Sequence, residues 1–180
     1  MNEEKVLKNI QSKNFVIPFT TILLIIFCFL FVLFVKDSQK IERISVDNCI
    51  KTKDTSYQYY VDELYYEDSN IYLKKDIVKM SGWFAKPNEK TNDVSIKVVF
   101  KNMNDGVYYQ MPTLMISRPE VSSFVGDGYN HQYSGFSMNV EYSRLDKNAD
   151  YKIYLLYSLN GKDYLVDLNR TLKTSGEKRA

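Results

Sequence analysis

Between residues 118 and 136 the chain gathers most of the side chains that could do chemistry: Arg118-Pro119-Glu120-Val121, Phe124, Gly126-Asp127-Gly128-Tyr129, His131 and Ser134-Gly135-Phe136. A guanidinium, two carboxylates, an imidazole and aromatic rings among glycines have the composition of a loop that shapes a polar binding pocket. The same residues also suit an ordered crossover between two sheets, with Arg118 paired to Glu120 or Asp127 and Gly135 marking a bulge or a close backbone approach. The candidate binding residues are therefore Arg118, Glu120, Asp127, Tyr129 and His131, together with Trp83, the only tryptophan. His131 is the only histidine, so a multi-histidine metal site is excluded. A hydrolytic role would need Ser134 held against His131 and an aspartate, for which the spacing carries no signature. No catalytic residue, metal or cofactor is expected.

A second concentration of polar groups interleaves Asp62, Glu63, Glu67 and Asp68 with Tyr59, Tyr60, Tyr65 and Tyr66. It lacks the regular oxygen spacing around a glycine that a calcium loop requires. Two readings stay open: an aromatic platform for sugar rings, since tyrosine offers a broad apolar face with a polar handle, or a solvated acidic face over buried rings.

Composition narrows the classes further. The 24 basic and 22 acidic residues are scattered, giving a net charge of +2 without the basic stripe of a nucleic-acid binder. With 15 Tyr and 10 Phe against 7 Gly and 4 Pro, the chain reads as a folded, tyrosine-rich protein and not a low-complexity one. The two cysteines, Cys28 and Cys49, fall in an apolar run and in the polar part respectively, so no disulfide between them is expected. A domain without disulfides, rich in Lys, Asn, Ile and Tyr, fits a low-GC Gram-positive bacterial source better than a small eukaryotic secreted module.

The elements that position these groups begin with an unbroken apolar run, 15–35, flanked by Lys13 and Lys36. About 20 apolar residues cross a hydrocarbon core of about 30 Å. The run exceeds the core of a cleavable signal peptide and ends in Phe34-Val35-Lys36-Asp37, without small residues at a cut site. It reads as a signal anchor, with 1–14 as a cytoplasmic tail, 36–43 as a stalk and 44–173 as an extracellular domain, followed by a polar tail, 174–180. Flanking charges nearly balance, and the orientation follows the usual geometry of an N-terminal anchor ahead of a long exported domain.

Beyond the stalk the apolar pattern alternates, which indicates strands. Val94, Ile96, Val98 and Phe100 lead through Asp105-Gly106 to Val107, Tyr109 and Met111. Tyr151, Ile153, Leu155 and Tyr157 lead through Asn160-Gly161 to Tyr164, Val166 and Leu168. These are hairpins. Adding strands at 77–84 and 136–142, and one or two within 44–73, gives seven or eight strands and no substantial amphipathic helix. The predicted fold is an all-β, antiparallel β-sandwich, immunoglobulin-like or jelly-roll, behind one N-terminal transmembrane helix.

The string Arg118-Pro119-Glu120-Val121, the loop with Phe124 and Tyr129, Ser134-Gly135-Phe136 and the strand with its Asn-Gly turn together resemble a β-sandwich accessory domain. That domain is associated with bacterial surface-polysaccharide glycosyltransferases and polytopic membrane proteins of glycan assembly. The resemblance spans roughly 78–172; Glu120 stands where the family pattern has Asp, and no glycosyltransferase domain accompanies it. It implies an extracytoplasmic, glycan-contacting or accessory module. The expectation is a non-enzymatic, single-pass cell-envelope protein whose partners are the membrane and surface polysaccharide. The alternative is a structural subunit docking on a polytopic membrane enzyme or transporter without binding glycan.

Overall fold

The computed structural model describes residues 13–52, 57–67, 76–89 and 94–174. The chain divides into two compact units, 1–40 and 41–180. In the first, α1 (Lys13–Ser38) is one continuous helix that carries the apolar run. Pro18 lies in its second turn, past the N–H groups that have no intrahelical partner, so it forgoes one backbone bond, and the helix runs on through it. The hydroxyls of Thr20 and Thr21 fold back onto helix carbonyls, Thr20 Oγ1 donating to Val16 O and Thr21 Oγ1 to Ile17 O at 2.9 Å each, so neither is left unpaired in an apolar medium. The apolar stretch, Val16–Asp37, is long enough at about 1.5 Å per residue to cross a membrane.

The second unit is a sandwich of two sheets. Its strands are β1 (Glu42–Ile44), β2 (Ile50–Thr52), β3 (Gln58–Glu67), β4 (Ile77–Ala85), β5 (Val94–Asn102), β6 (Tyr108–Gln110), β7 (Thr113–Ile116), β8 (Gly135–Glu141), β9 (Tyr151–Leu159) and β10 (Lys162–Leu172). One sheet has six strands in the order β1-β6-β5-β9-β10-β2, and the other has four in the order β3-β4-β8-β7. All pairs are antiparallel except β2 with β10, a three-residue parallel edge. The count exceeds the sequence expectation for two reasons. β1 and β2 are too short to show alternation, and β7, just beyond Pro112, lies outside the strand read at 107–111 and belongs to the other sheet.

That sheet switch has its own hydrogen-bond solution. Once β6 stops pairing, the inner half of β5 would leave N–H groups unsatisfied. Instead Val98 N donates to Thr113 Oγ1 at 3.0 Å, and Thr113 Oγ1 donates in turn to Met111 O at 2.9 Å. Ile96 N donates to the Met115 sulfur at 3.3 Å.

The core follows from strand alternation. Val78, Met80 and Phe84 of β4 and Phe136, Met138 and Val140 of β8 face Ile96, Val98 and Phe100 of β5 and Ile153, Leu155 and Tyr157 of β9. Each such side chain contributes about 1.5–3 kcal/mol on leaving water. One end of the core is aromatic: Phe84 packs against Tyr157 at 4.9 Å and Tyr57 at 5.1 Å between ring centroids. Lys86 Nζ lies 5.9 Å from the centroid of the Tyr57 ring and 5.4 Å from that of Tyr164. The Tyr157 hydroxyl is buried without a hydrogen-bond partner, and burial pushes its pKa above the ordinary phenol value.

Both hairpin turns match their sequence signals. Asn160 and Gly161 hold φ of 51° and 74°, the paired positive values that a two-residue turn of the twisted hairpin needs. At the other turn Gly106 has φ 74°, Gly106 N donates to Asn102 O at 2.9 Å, and Asp105 Oδ1 accepts from Val107 N at 2.8 Å. At the far end Thr174 is buried and tied back, its N–H donating to Asp150 Oδ1 at 3.2 Å and its hydroxyl to Ala149 O.

Gly82 in β4 marks the tightest backbone approach in the four-stranded sheet. A Cβ there would collide with the carbonyl oxygen of Tyr60 and lie 3.1 Å from the Phe136 ring. Gly82→Ala should therefore cost about 3 kcal/mol through forced separation of β3 and β4. The check is a fall in the urea midpoint at unchanged m-value; an unchanged midpoint would show that β3 moves aside freely.

Candidate functional site

The outer face of the four-stranded sheet carries the candidate site. Alternation turns Tyr60, Glu63 and Tyr65 of β3, Lys79, Ser81 and Trp83 of β4, and Gly135, Ser137 and Asn139 of β8 away from the core. The middle of the two central strands presents small residues, with Ser81 directly opposite Ser137, between Lys79 and Trp83 of β4. Larger apolar side chains stand on the edges, Tyr60 at 61% exposure and Leu114 at 70%. The result is a lane of hydroxyl and amide groups bordered by apolar walls.

One end of the lane is crossed by Arg118. A Cβ at Gly135 would come within 2.5 Å of the Arg118 Cγ and 2.7 Å of Ile116 Cγ1, so the arginine stem lies on the bare backbone of β8. From there Arg118 Nη1 donates to Asp62 Oδ2 of β3 at 2.6 Å, and Nε donates to Glu120. Asp62 is the extra residue of a β-bulge: Val61 pairs with Gly82 and Glu63 with Ser81, leaving Asp62 without a Cα partner. The bulge re-aims its carboxylate. The hydrogen bonds to Asp62 and Glu120 raise the pKa of Arg118, and the bond from Arg118 lowers that of Glu120. The sequence expectation of an Arg118–Glu120 pair holds, while the pairing with Asp127 does not form; Asp62 takes that place.

Beside this network the Trp83 ring stacks on Phe124, with centroids 6.4 Å apart and planes 16° apart. Phe124 comes from a helix absent from the sequence reading, α2 (Glu120–Val125). Pro119 precedes it, and Gly126 ends it in the left-handed conformation at φ 67°, its N–H bonding to Ser122 O. This Pro-start, Gly-stop pattern was the available signal. A single helical turn or two shows too little periodicity to stand out within a loop.

Asp127, Tyr129 and His131 belong elsewhere. His131 is fully buried, and its Nε2 lies 3.0 Å from both Asp127 carboxylate oxygens. Asp127 also accepts from Asn88 N at 2.6 Å, tying this loop to the β4–β5 connection, and from Tyr129 N at 2.9 Å. His131 N donates to Ser122 Oγ at 2.9 Å and Arg118 N to Gln132 O at 2.7 Å. The group forms an internal clip that holds α2 and the loop behind it. Tyr129 enters it through its backbone amide, and its ring is exposed. Ser134 is buried as well, and its hydroxyl makes no bond to His131. No nucleophile is presented to solvent by this trio.

The tyrosine-rich strand departs from the reading with buried rings: Tyr59, Tyr60 and Tyr65 are all exposed. β3 is an edge strand, so its rings have a neighbour on one side only. Tyr59 rests on Phe84 at 6.3 Å. The side chains of Tyr66 and Glu67, and Asp68 entirely, lie outside the described residues. Among the described residues no three His, Cys, Asp or Glu side chains converge as a metal-ligand set. A separate cleft of about 560 Å³ between the β1–β2 connection and the Asp105-Gly106 turn is lined by Arg43, Asp47, Asp105 and Tyr108.

Burial would raise the Asp127 pKa, but the N–H groups of Asn88 and Tyr129 and the His131 ring outweigh it and bring the value from 3.8 to about 2. A carboxylate with a depressed native pKa stabilises the fold above its unfolded pKa, and that contribution disappears as pH falls through the native one. Asp127 should therefore withdraw stability between about pH 4 and pH 2. Asp127→Asn should lower the melting temperature at neutral pH and flatten its fall across that window, measured by circular dichroism. For the Arg118 network, a double-mutant cycle of Arg118→Ala with Asp62→Ala should return a coupling of up to about 1 kcal/mol, as expected of a partly exposed charged pair. A coupling of zero would mean that the pair contributes geometry without stability.

No protein-family model matches this chain, and no curated protein or solved structure shows significant similarity to it.

Proposed function

We infer that this is a non-enzymatic, single-pass cell-envelope protein, anchored by α1 with its N-terminus inside, whose exported sandwich contacts surface glycan through the outer face of the four-stranded sheet. The observation that carries the reading is the Trp83–Phe124 stack beside exposed Tyr60, at the end of a lane lined by Ser81, Ser137 and Asn139. Aromatic faces stack on the apolar faces of sugar rings, and short hydroxyl and amide side chains meet the equatorial hydroxyls. Arg118, pinned on two carboxylates, adds rigid donors and acceptors at the lane's end. The resemblance of the Arg118–Phe136 segment to glycan-assembly accessory domains points the same way. Binding is favoured over catalysis because His131 and Ser134 are sealed from solvent.

A second reading has one observation in its favour. β3 is a ten-residue edge strand with exposed rings, the kind of ladder on which a protein partner adds a strand. On that reading the chain is a structural subunit of a membrane enzyme or transporter, and it would co-purify with that complex while ignoring wall polymers.

Trp83, the only tryptophan, makes the glycan reading directly measurable. Full-length protein in detergent, titrated with solubilised wall polysaccharide, should change its tryptophan emission saturably. Phe124→Ala and Tyr60→Ala should each weaken binding about tenfold, the equivalent of one lost stacking contact, with melting temperature unchanged. Equal affinities for both variants and the parent would remove the platform from the binding face. For topology, added protease should digest the sandwich on intact protoplasts; digestion only after lysis would reverse the orientation.

A further inference from the structure

We propose that the aromatic end of the four-stranded sheet's outer face docks on the bilayer to which α1 anchors the chain. Among the described residues of the sandwich, the three most exposed large apolar side chains are Phe124 at 71%, Leu114 at 70% and Tyr60 at 61%, and all three stand on this one face. Tyr60, Trp83 and Ile116 share a single row across the sheet, with Gly135 between the last two, and Phe124 stacks on Trp83. Single apolar residues scattered over a surface need no partner, whereas a contiguous patch marks a contact. Trp and Tyr among apolar neighbours are the composition of a membrane–water interface, where an amphipathic ring meets acyl chains and headgroups together.

Strand direction names the occupant. β1 is antiparallel to β6 and β6 to β5, so β1 runs the same way as β5, and the chain enters the sandwich from the end where β5 begins. β7 lies along β5 with Thr113 at Val98 and Met115 at Ile96, so the next residue, Ile116, lies toward that same end. The apolar row and the point of entry therefore belong to one end of the domain. Only Gln39, Lys40 and Ile41 separate α1 from β1, and the chain from Ser38 to Glu42 spans at most about 14 Å. The tether thus leads from the membrane to the end that carries the row. Arg118, beside the row, is paired with Asp62 and Glu120, so the contact is apolar and independent of lipid charge. The lane of Ser81, Ser137 and Asn139 runs from the row toward the other end of the sheet and stays open to sugar. The proposal rests on the anchor reading and not on the glycan reading.

For the test, full-length protein is reconstituted into vesicles of phosphatidylcholine and, in parallel, of phosphatidylcholine brominated along its acyl chains, a contact quencher of indole. Trp83, the only tryptophan, is the reporter. Brominated lipid should lower its emission about twofold, and about 0.5 M salt, which screens exposed charges beyond a few ångströms, should leave that loss unchanged. Phe124→Ser and Tyr60→Ser should each cut the loss by about half with melting temperature unchanged. Insertion of about ten Gly and Ser residues after Gln39 should preserve quenching, because the face and not the short tether holds the domain down. Equal emission in the two vesicles, undiminished quenching in both serine variants, or loss of quenching in salt or on insertion would overturn the docking. Failure of the protein to enter vesicles would overturn the anchor reading and the docking with it. The polysaccharide titration in detergent contains no bilayer, so its outcome separates failure of the glycan reading from failure of this one.

Discussion

Arg118 can reach β3 only because β8 has no side chain at Gly135. The guanidinium belongs to the segment after β7, at one edge of the four-stranded sheet, and Asp62 lies on the opposite edge strand. An arginine extends far enough to span that width only if its stem lies flat on the sheet, and any Cβ at residue 135 would lift it off. Gly82 serves the neighbouring pair, letting β3 approach β4 next to the bulge that turns Asp62 toward the arginine. Two missing Cβ atoms and one extra residue thus set where the charged end of the outer face lies.

The same constraint gives the Arg-Pro-Glu-Val and Ser-Gly-Phe strings a shared physical meaning. Ile116 pairs with Gly135 across the β7–β8 ladder, so the two strings enter and leave one loop at the same point of the sheet. Pro119 turns the chain into α2, and Phe136 returns it to the core. Between them the buried Asp127–His131 clip closes the loop from behind and holds Phe124 over Trp83. The polar groups of this segment therefore divide into two sets with different work. Arg118 and Glu120 face solvent, whereas Asp127 and His131 replace the apolar packing that so short a helix cannot supply.

Much of the architecture was legible beforehand. The apolar run, the alternating strands from residue 77 onward and both Gly-containing turns are local signals, and α1, the β5–β6 and β9–β10 hairpins and the two-layer core correspond to them. The site was legible in composition but not in arrangement. Arg118, Glu120 and Trp83 do share a region of the outer face, while His131 and Asp127, which stand between them and Ser134 in sequence, turn inward. Asp62 and Tyr60 were read as part of a separate acidic, tyrosine-rich cluster and Phe124 as part of the 118–136 loop, because nothing near them in sequence joins them to Arg118 or Trp83.

The sequence by itself determined the class of protein: an apolar helix of membrane-spanning length followed by alternating strands, because hydrophobic period and run length are properties of neighbouring residues. Only the tertiary structure decided which polar groups meet. Asp62 and Arg118 stand 56 positions apart, and their contact depends on strand order, on a one-residue register shift and on the absence of a side chain at Gly135. None of these is a local preference of the chain. They arise when two sheets bury their inner faces and leave the outer one to be organised by what remains.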